Sequence, residues 1–379
     1  MKKKFLVVSM FAALMLATSC SKDDSENNVE PQPVNTEVVN NATPLVVEKT
    51  YPITVKATKK TSVSKISLGD NGTDECFEIG DKLVLTWGAD GSVELELIDG
   101  AGSTSATFSG EIPESANGQS ITAHIGSPIT AASRLGYASL TAAVHNCCYL
   151  VSNDFTYTAG EDIAPLTLDD QNSYLHFQLA ETQTKFDLNI DGNTFTFSDF
   201  SNHEIWIAVP GGKKIKGNMI STEGKELESA KVYTVDRTDV VDLGLSVLWC
   251  TSNATEQAMK YTDACNNYKE ADVQGYRLPT KSDFEELFTV GYSWDYTNKG
   301  CVFSNAFASV FFPAKGGILS SNTSTKYDVG DYCLYWSSTP TDKENIAYDM
   351  ICSYKRNQMV GFAEHFYDWL ITIRLVRSL

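Results

Sequence analysis

From Thr50 to Val235 apolar residues recur with period two, broken at short intervals by turn signals such as "DNG", "ADG" and "IDG". In "SVELELI", Val93, Leu95 and Leu97 fall on one face and Glu94 and Glu96 on the other. Period two with a polar outer face is the mark of antiparallel strands buried on one side only. In "TKFDLNIDGNTFTFSDF", Phe186, Leu188 and Ile190 alternate up to Asp191-Gly192, and Phe195 and Phe197 alternate back, which predicts a hairpin. No long helical pattern occurs before about residue 250. An all-β sandwich is expected over 46–172, and 173–236 reads as a second small β-domain or a continuation of the first. A chain of 379 residues is long enough for two or three such cores.

The N-terminus carries a different signal. Lys2, Lys3 and Lys4 precede the apolar stretch Phe5–Leu16, and small residues lead to Cys20. This is the layout of a secretory signal peptide, residues 1–19. The cysteine directly after the small residues resembles the bacterial lipobox, which implies acylation at Cys20. Several acyl chains bury methylenes at about 0.8 kcal/mol each and would hold the protein to a membrane. Residues 20–45 are polar and acidic with no apolar period, so a flexible tether is expected. "SKDD" beside the cysteine resembles the acidic export signal of Bacteroidetes surface lipoproteins, which implies an outer-membrane, surface-exposed location. The net charge of −18 disfavours nucleic acid as a partner, and the membrane is expected to be met only through the lipid.

"FEIGDKLVL" (Phe77–Leu85), "STSATFSGEIP" (Ser103–Pro113) and "KVYTVD" (Lys231–Asp236) together resemble the fimbrillin family of Bacteroidetes over roughly residues 45–236. That resemblance implies a fimbrillin/transthyretin-like sandwich and, as partners, pilus subunits joined by strand donation. Some members mature by cleavage after an arginine near the N-terminus; the first arginine here is Arg134.

From Val241 the texture changes, with dense aromatics and a helix start. In "YRLPTKSDFEEL", Thr280 and Asp283 stand in capping-box positions, and Phe284, Leu287 and Phe288 share one helical face. "VDLGLSVLW", "YRLPTKSDFEEL", "FFPAKGG", "YWSST" and "ITIRLV" follow in the order of the Fibrobacter succinogenes major paralogous domain, which they resemble over 237–379. The resemblance implies an α+β, C-type-lectin-like fold with a variable binding surface. "ITIRLV" reads as a central strand, with Arg374 expected to pair with a carboxylate. Between the last two scaffold strands lie the candidate ligand-binding residues: Tyr354, Lys355, Arg356, Asn357, His365, Phe366, Tyr367, Asp368 and Trp369. Aromatic side chains beside polar ones suit an interface.

Catalytic motifs are missing: no H-E-x-x-H, P-loop, G-x-S-x-G or dinucleotide fingerprint occurs. No enzyme activity, cofactor or metal is therefore expected. Glu364, His365 and Asp368 are close in sequence, but one strand cannot aim all three at a point. Neither Glu-Pro-Asn nor Gln-Pro-Asp is present for a calcium-dependent sugar site. Nine cysteines include Cys20, none form C-x-x-C, and export permits disulfides within Cys250–Cys352 without fixing their pairing. The expected whole is a lipid-anchored adhesin, a pilus tip or pilus-associated subunit that binds a host protein or glycan. A glycan-capture lipoprotein of a nutrient-uptake system is the alternative.

Overall fold

The computed structural model describes residues 48–60, 77–129, 136–198, 200–272, 274–319, 326–355 and 359–379. The signal peptide, Cys20, the tether, Cys76, Arg134, Arg356 and Asn357 lie outside the described residues.

The first block is built from β1 (Thr50–Lys59), β2 (Lys82–Trp87), β3 (Gly91–Asp99), β4 (Ser105–Pro113) and β5 (Ser120–Gly126). The chain then leaves through β6 (Gly136–Tyr137) and α1 (Leu140–Cys147), and returns as β7 (Tyr149–Ser152), β8 (Phe155–Thr156) and β9 (Leu166–Asp170). Strand order is β2-β3-β4-β1-β9-β7-β5, and β2 also pairs with β5, so seven strands close into a barrel. The expectation of a sandwich over 46–172 is corrected here. Period two is common to both architectures, and only the long-range meeting of the two edge strands decides between them. Alternate residues fill the interior, among them Val55, Leu83, Leu85, Leu95, Phe108, Ile121 and Leu168.

The second block comprises β10 (Asn172–Leu179), β11 (Lys185–Ile190), β12 (Asn193–Ser198), β13 (Glu204–Pro210), β14 (Lys214–Gly217), β15 (Ser221–Glu226) and β16 (Val232–Arg237). They form two sheets, β16-β10-β13-β6 and β12-β11-β14-β15. Phe177 of one and Phe186 of the other meet at 4.6 Å within a shared core. The β11–β12 hairpin has the predicted register, with Phe186 opposite Phe197 and Leu188 opposite Phe195. Asp191 and Gly192 both adopt positive φ, 53° and 90°, as a two-residue turn matched to strand twist requires. Helix α1 covers the outer face of the first sheet, where Ala143 and Cys147 pack with Tyr174, Trp206 and Ala208.

The remaining chain forms β17 (Val240–Val241), β18 (Val247–Asn253), α2 (Tyr261–Tyr268), β19 (Tyr276–Arg277) and α3 (Lys281–Leu287). It continues as β20 (Gly291–Asp295), β21 (Gly300–Ser304), β22 (Ser309–Pro313), β23 (Gly317–Leu319) and β24 (Lys326–Tyr327). It ends with β25 (Tyr332–Pro340), β26 (Ile346–Ser353), β27 (Met359–Phe366), β28 (Trp369–Ile371) and β29 (Arg374–Ser378). Four small sheets result: β17-β18-β29-β19, β20-β21-β22, β24-β23-β28 and β25-β26-β27. Strand β18 is buried on both faces. Val247 and Trp249 enter the C-terminal core, while Leu248 and Cys250 enter the core of the second block. From Glu48 to Leu379 the chain is therefore one compact unit.

Arg374, on β29, is buried at 1 % exposure. Among the described residues it meets no carboxylate. Its guanidinium donates to the carbonyls of Cys250 at 2.9 Å and Phe311 at 2.6 Å and lies 4.8 Å over the Phe312 ring. The expected ion pair is replaced by carbonyl dipoles and a ring face, which suit a planar, weakly hydrated cation.

Helix α3 starts as its sequence predicts. Thr280 Oγ1 accepts from the Asp283 amide, and Asp283 accepts from the Thr280 amide at 2.6 Å. Arg277 binds the same carboxylate through two nitrogens, at 2.7 and 3.2 Å. Burial opposes ionisation of Asp283, but the Arg277 and Thr280 donors outweigh it and hold the carboxyl below its usual range. Asp283 therefore stabilises the fold above the unfolded-state value, about pH 4, and loses that contribution as pH falls through the lower folded value. Asp283→Asn should lower stability at neutral pH by about 1–3 kcal/mol, with the deficit shrinking on acidification, as read by urea denaturation across pH.

Candidate functional site

The described sequence candidates fall in two groups, Tyr354 and Lys355 just after β26, and His365 to Trp369 from the end of β27 to the start of β28. Strand β27 runs antiparallel back along β26, with Ser353 opposite Met359 and Ile346 opposite Phe366. Tyr354 and Lys355 thus lie at one end of the sheet and His365–Trp369 at the other. At a rise of about 3.3 Å per residue the two groups are roughly 20 Å apart.

At the far end, His365 Nδ1 is 2.7 Å from Asp349 Oδ1, and the His365 ring lies 4.5 Å from Trp369. Asp349 is fully buried, and burial pushes its carboxyl up against the opposing pull of His365. Tyr367 stacks on Tyr261 at 4.4 Å and so belongs partly to the packing around α2. Phe366 and Asp368 are exposed, Phe366 at 58 %. Lys343 pairs with Glu364 beside them.

At the near end, Tyr354 sits between Trp294 at 5.3 Å and Tyr296 at 6.0 Å. Lys355 forms an ion pair with Asp331. The lysine is held above its usual range by that carboxylate, and Asp331 is held below its own by Lys355, with Tyr354 also donating to it. Tyr292 and Trp294 share one face of β20, and Tyr296 follows in the turn, where Asp295 Oδ1 accepts from the Thr297 and Asn298 amides, each at 2.9 Å. Tyr292 is 42 % and Tyr296 67 % exposed, whereas Trp294 is buried beneath them. The result is a pair of tyrosines, Tyr296 and Tyr354, that make a tyrosine face beside Trp294, with Asp331 and Lys355 alongside, while the Tyr292 ring lies 6.1 Å from Phe303. Tyr292, Trp294 and Tyr296 were not among the sequence candidates. Their signal is the alternation in "YSWDY", aromatic at every second position into a turn.

The described clefts lie elsewhere. The first, about 520 Å³, is lined by Gln178, His203, Glu204, Thr251 and Phe311, where the second block meets the C-terminal part. None of the three is lined by a sequence candidate. Among the described residues, no group of three or more His, Cys, Asp or Glu side chains is placed to hold a metal ion, and no helix is long and apolar enough to cross a membrane.

No family model matches the chain, and no curated protein matches it. Among solved structures, the major pilin protein (T-13) of Streptococcus pyogenes is similar at 11 % identity over 50 % of this chain and 98 % of that one, with a TM-score of 0.13. At that score the likeness carries no argument.

Removing the His365 imidazole takes from the buried Asp349 carboxyl group its side-chain hydrogen-bond partner. His365→Ala should lower stability by about 1–3 kcal/mol in chemical denaturation, and the loss should shrink when Asp349→Asn is already present.

Proposed function

We propose that this chain is a surface-anchored, adhesin-type binding protein whose C-terminal part takes a glycan on the tyrosine face. The observation that carries this is the exposure of Tyr296 beside Tyr354, with the Asp331–Lys355 ion pair at the margin. Tyrosine offers a rigid apolar ring and a polar tip, so it can cover the C–H face of a sugar while neighbouring groups meet its hydroxyls. The lipid at Cys20 and the tether over 20–45 hold this face away from the membrane. The fimbrillin-like and C-type-lectin-like assignments belong to the same proposal, and the β-rich architecture is compatible with both.

Membership of a pilus is the weaker part. A strand-accepting subunit needs an open groove or edge. Among the described residues the barrel strands pair round into a closed ring. An accepting edge would therefore have to come from outside the barrel, as in the second block, whose open sheets end at β16, β6, β12 and β15.

A glycan array with the purified protein tests the reading. The wild type should retain specific glycans, and Tyr296→Ala should weaken retention at least tenfold, about 1.4 kcal/mol, without loss of stability, since that side chain is 67 % exposed. Cys20→Ser should abolish antibody labelling of intact cells. Binding unchanged by the tyrosine substitution would overturn the assignment of the face.

A further inference from the structure

Three buried thiols that no binding role uses meet in the C-terminal core. Cys333 on β25 and Cys352 on β26 are direct cross-strand partners. Cys301 on β21 pairs with Phe312 on β22, and the Cys333 thiol donates to the Phe312 carbonyl at 3.0 Å. Cys301 lies in the same buried core as the Cys333–Cys352 pair. All three are free thiols and at most 1 % exposed.

We propose that Cys352 is the shared half of an internal cystine, with Cys333 and Cys301 as alternative partners. Directly opposed antiparallel residues have Cα atoms about 4.5–5.5 Å apart, inside the range a disulfide spans. Cys301 reaches the same core from β21, which packs against β26. Chemically, the Cys352 thiolate attacks an external small-molecule disulfide, forming a mixed disulfide and releasing one thiol. Cys333 or Cys301 then attacks the Cys352 sulfur, forming the cystine and releasing the second thiol. The protein is oxidised by two electrons and the external disulfide is reduced by two. Attack of the third thiol on the Cys352 sulfur moves the bond from one partner to the other with no net redox change, the incoming thiol giving its proton to the departing thiolate.

The two cystines hold different things. Cys333–Cys352 ties neighbouring strands of one sheet. Cys301–Cys352 ties that sheet across the core to the β20–β21 hairpin, where Cys301 is opposite Trp294. Tyr354 follows Cys352 by two residues, and Tyr296 lies in the hairpin turn. The cross-core bond therefore fixes the two halves of the tyrosine face against each other. The cystine itself does not depend on what that face binds.

The test is refolding of the full chain in oxidised and reduced glutathione, alkylation without reduction, digestion and mass spectrometry. The expected result is a Cys352 peptide joined to a Cys333 or Cys301 peptide. Cys333→Ala should leave only the Cys301–Cys352 pair, and Cys301→Ala only Cys333–Cys352. The wild-type map decides even where a variant does not fold. Cys352 recovered as an alkylated free thiol, or joined to any other cysteine, overturns the proposal.

Discussion

The burial of β18 on both faces is the constraint on which the C-terminal two-thirds of this structure depends. A strand in an ordinary sheet commits one face to a core and gives the other to solvent. Here Val247 and Trp249 commit one face to the C-terminal core, and Leu248 and Cys250 commit the other to the core between the β10 and β11 sheets. Its neighbour β29 is central in the same sheet and carries Val376 into the first core and Leu375 against the second. Neither core is complete without these strands. The C-terminal part is therefore not a bead on a string, and the orientation of the tyrosine face relative to the second block is fixed by packing.

This arrangement buries polar groups, and their satisfaction differs. Arg374 sits between β18 and β22 and ties them through two carbonyls. Asp349 has one oxygen bound to His365 and the other without a hydrogen-bond partner among the described residues. An orphaned buried acceptor costs about 1–3 kcal/mol. Together with the upward push on its carboxyl, this makes Asp349 a local cost to stability that His365 offsets.

Local signals in the sequence were legible because the physics behind them is local. Asp191-Gly192 makes its turn through the backbone freedom of two adjacent residues, and Thr280 caps α3 with Asp283 three positions on. Closure of the barrel rests on β2 meeting β5, which alternation along either strand cannot reveal. Arg374 finds carbonyls contributed by Cys250 and Phe311, distant in the chain, so its partner type is not readable from the residues around it. The candidates Tyr354–Asn357 and His365–Trp369 are near in sequence, but the described ones do not form one site. The return of β27 along β26 sends the two groups to opposite ends of a sheet. Tyr296 escaped notice for the converse reason, since its neighbour Tyr354 belongs to a separate hairpin.

The most direct test of the shared strand is amide hydrogen exchange of the full chain with and without Leu248→Ala. Leu248 is buried at 1 % and points into the second block, away from the C-terminal core. The substitution should cost about 2–5 kcal/mol. If β18 couples the cores, amides of β10 and β13 and those of β25 and β26 should lose protection by the same free energy. Loss confined to β10 and β13, with β25 and β26 unchanged, would contradict the account.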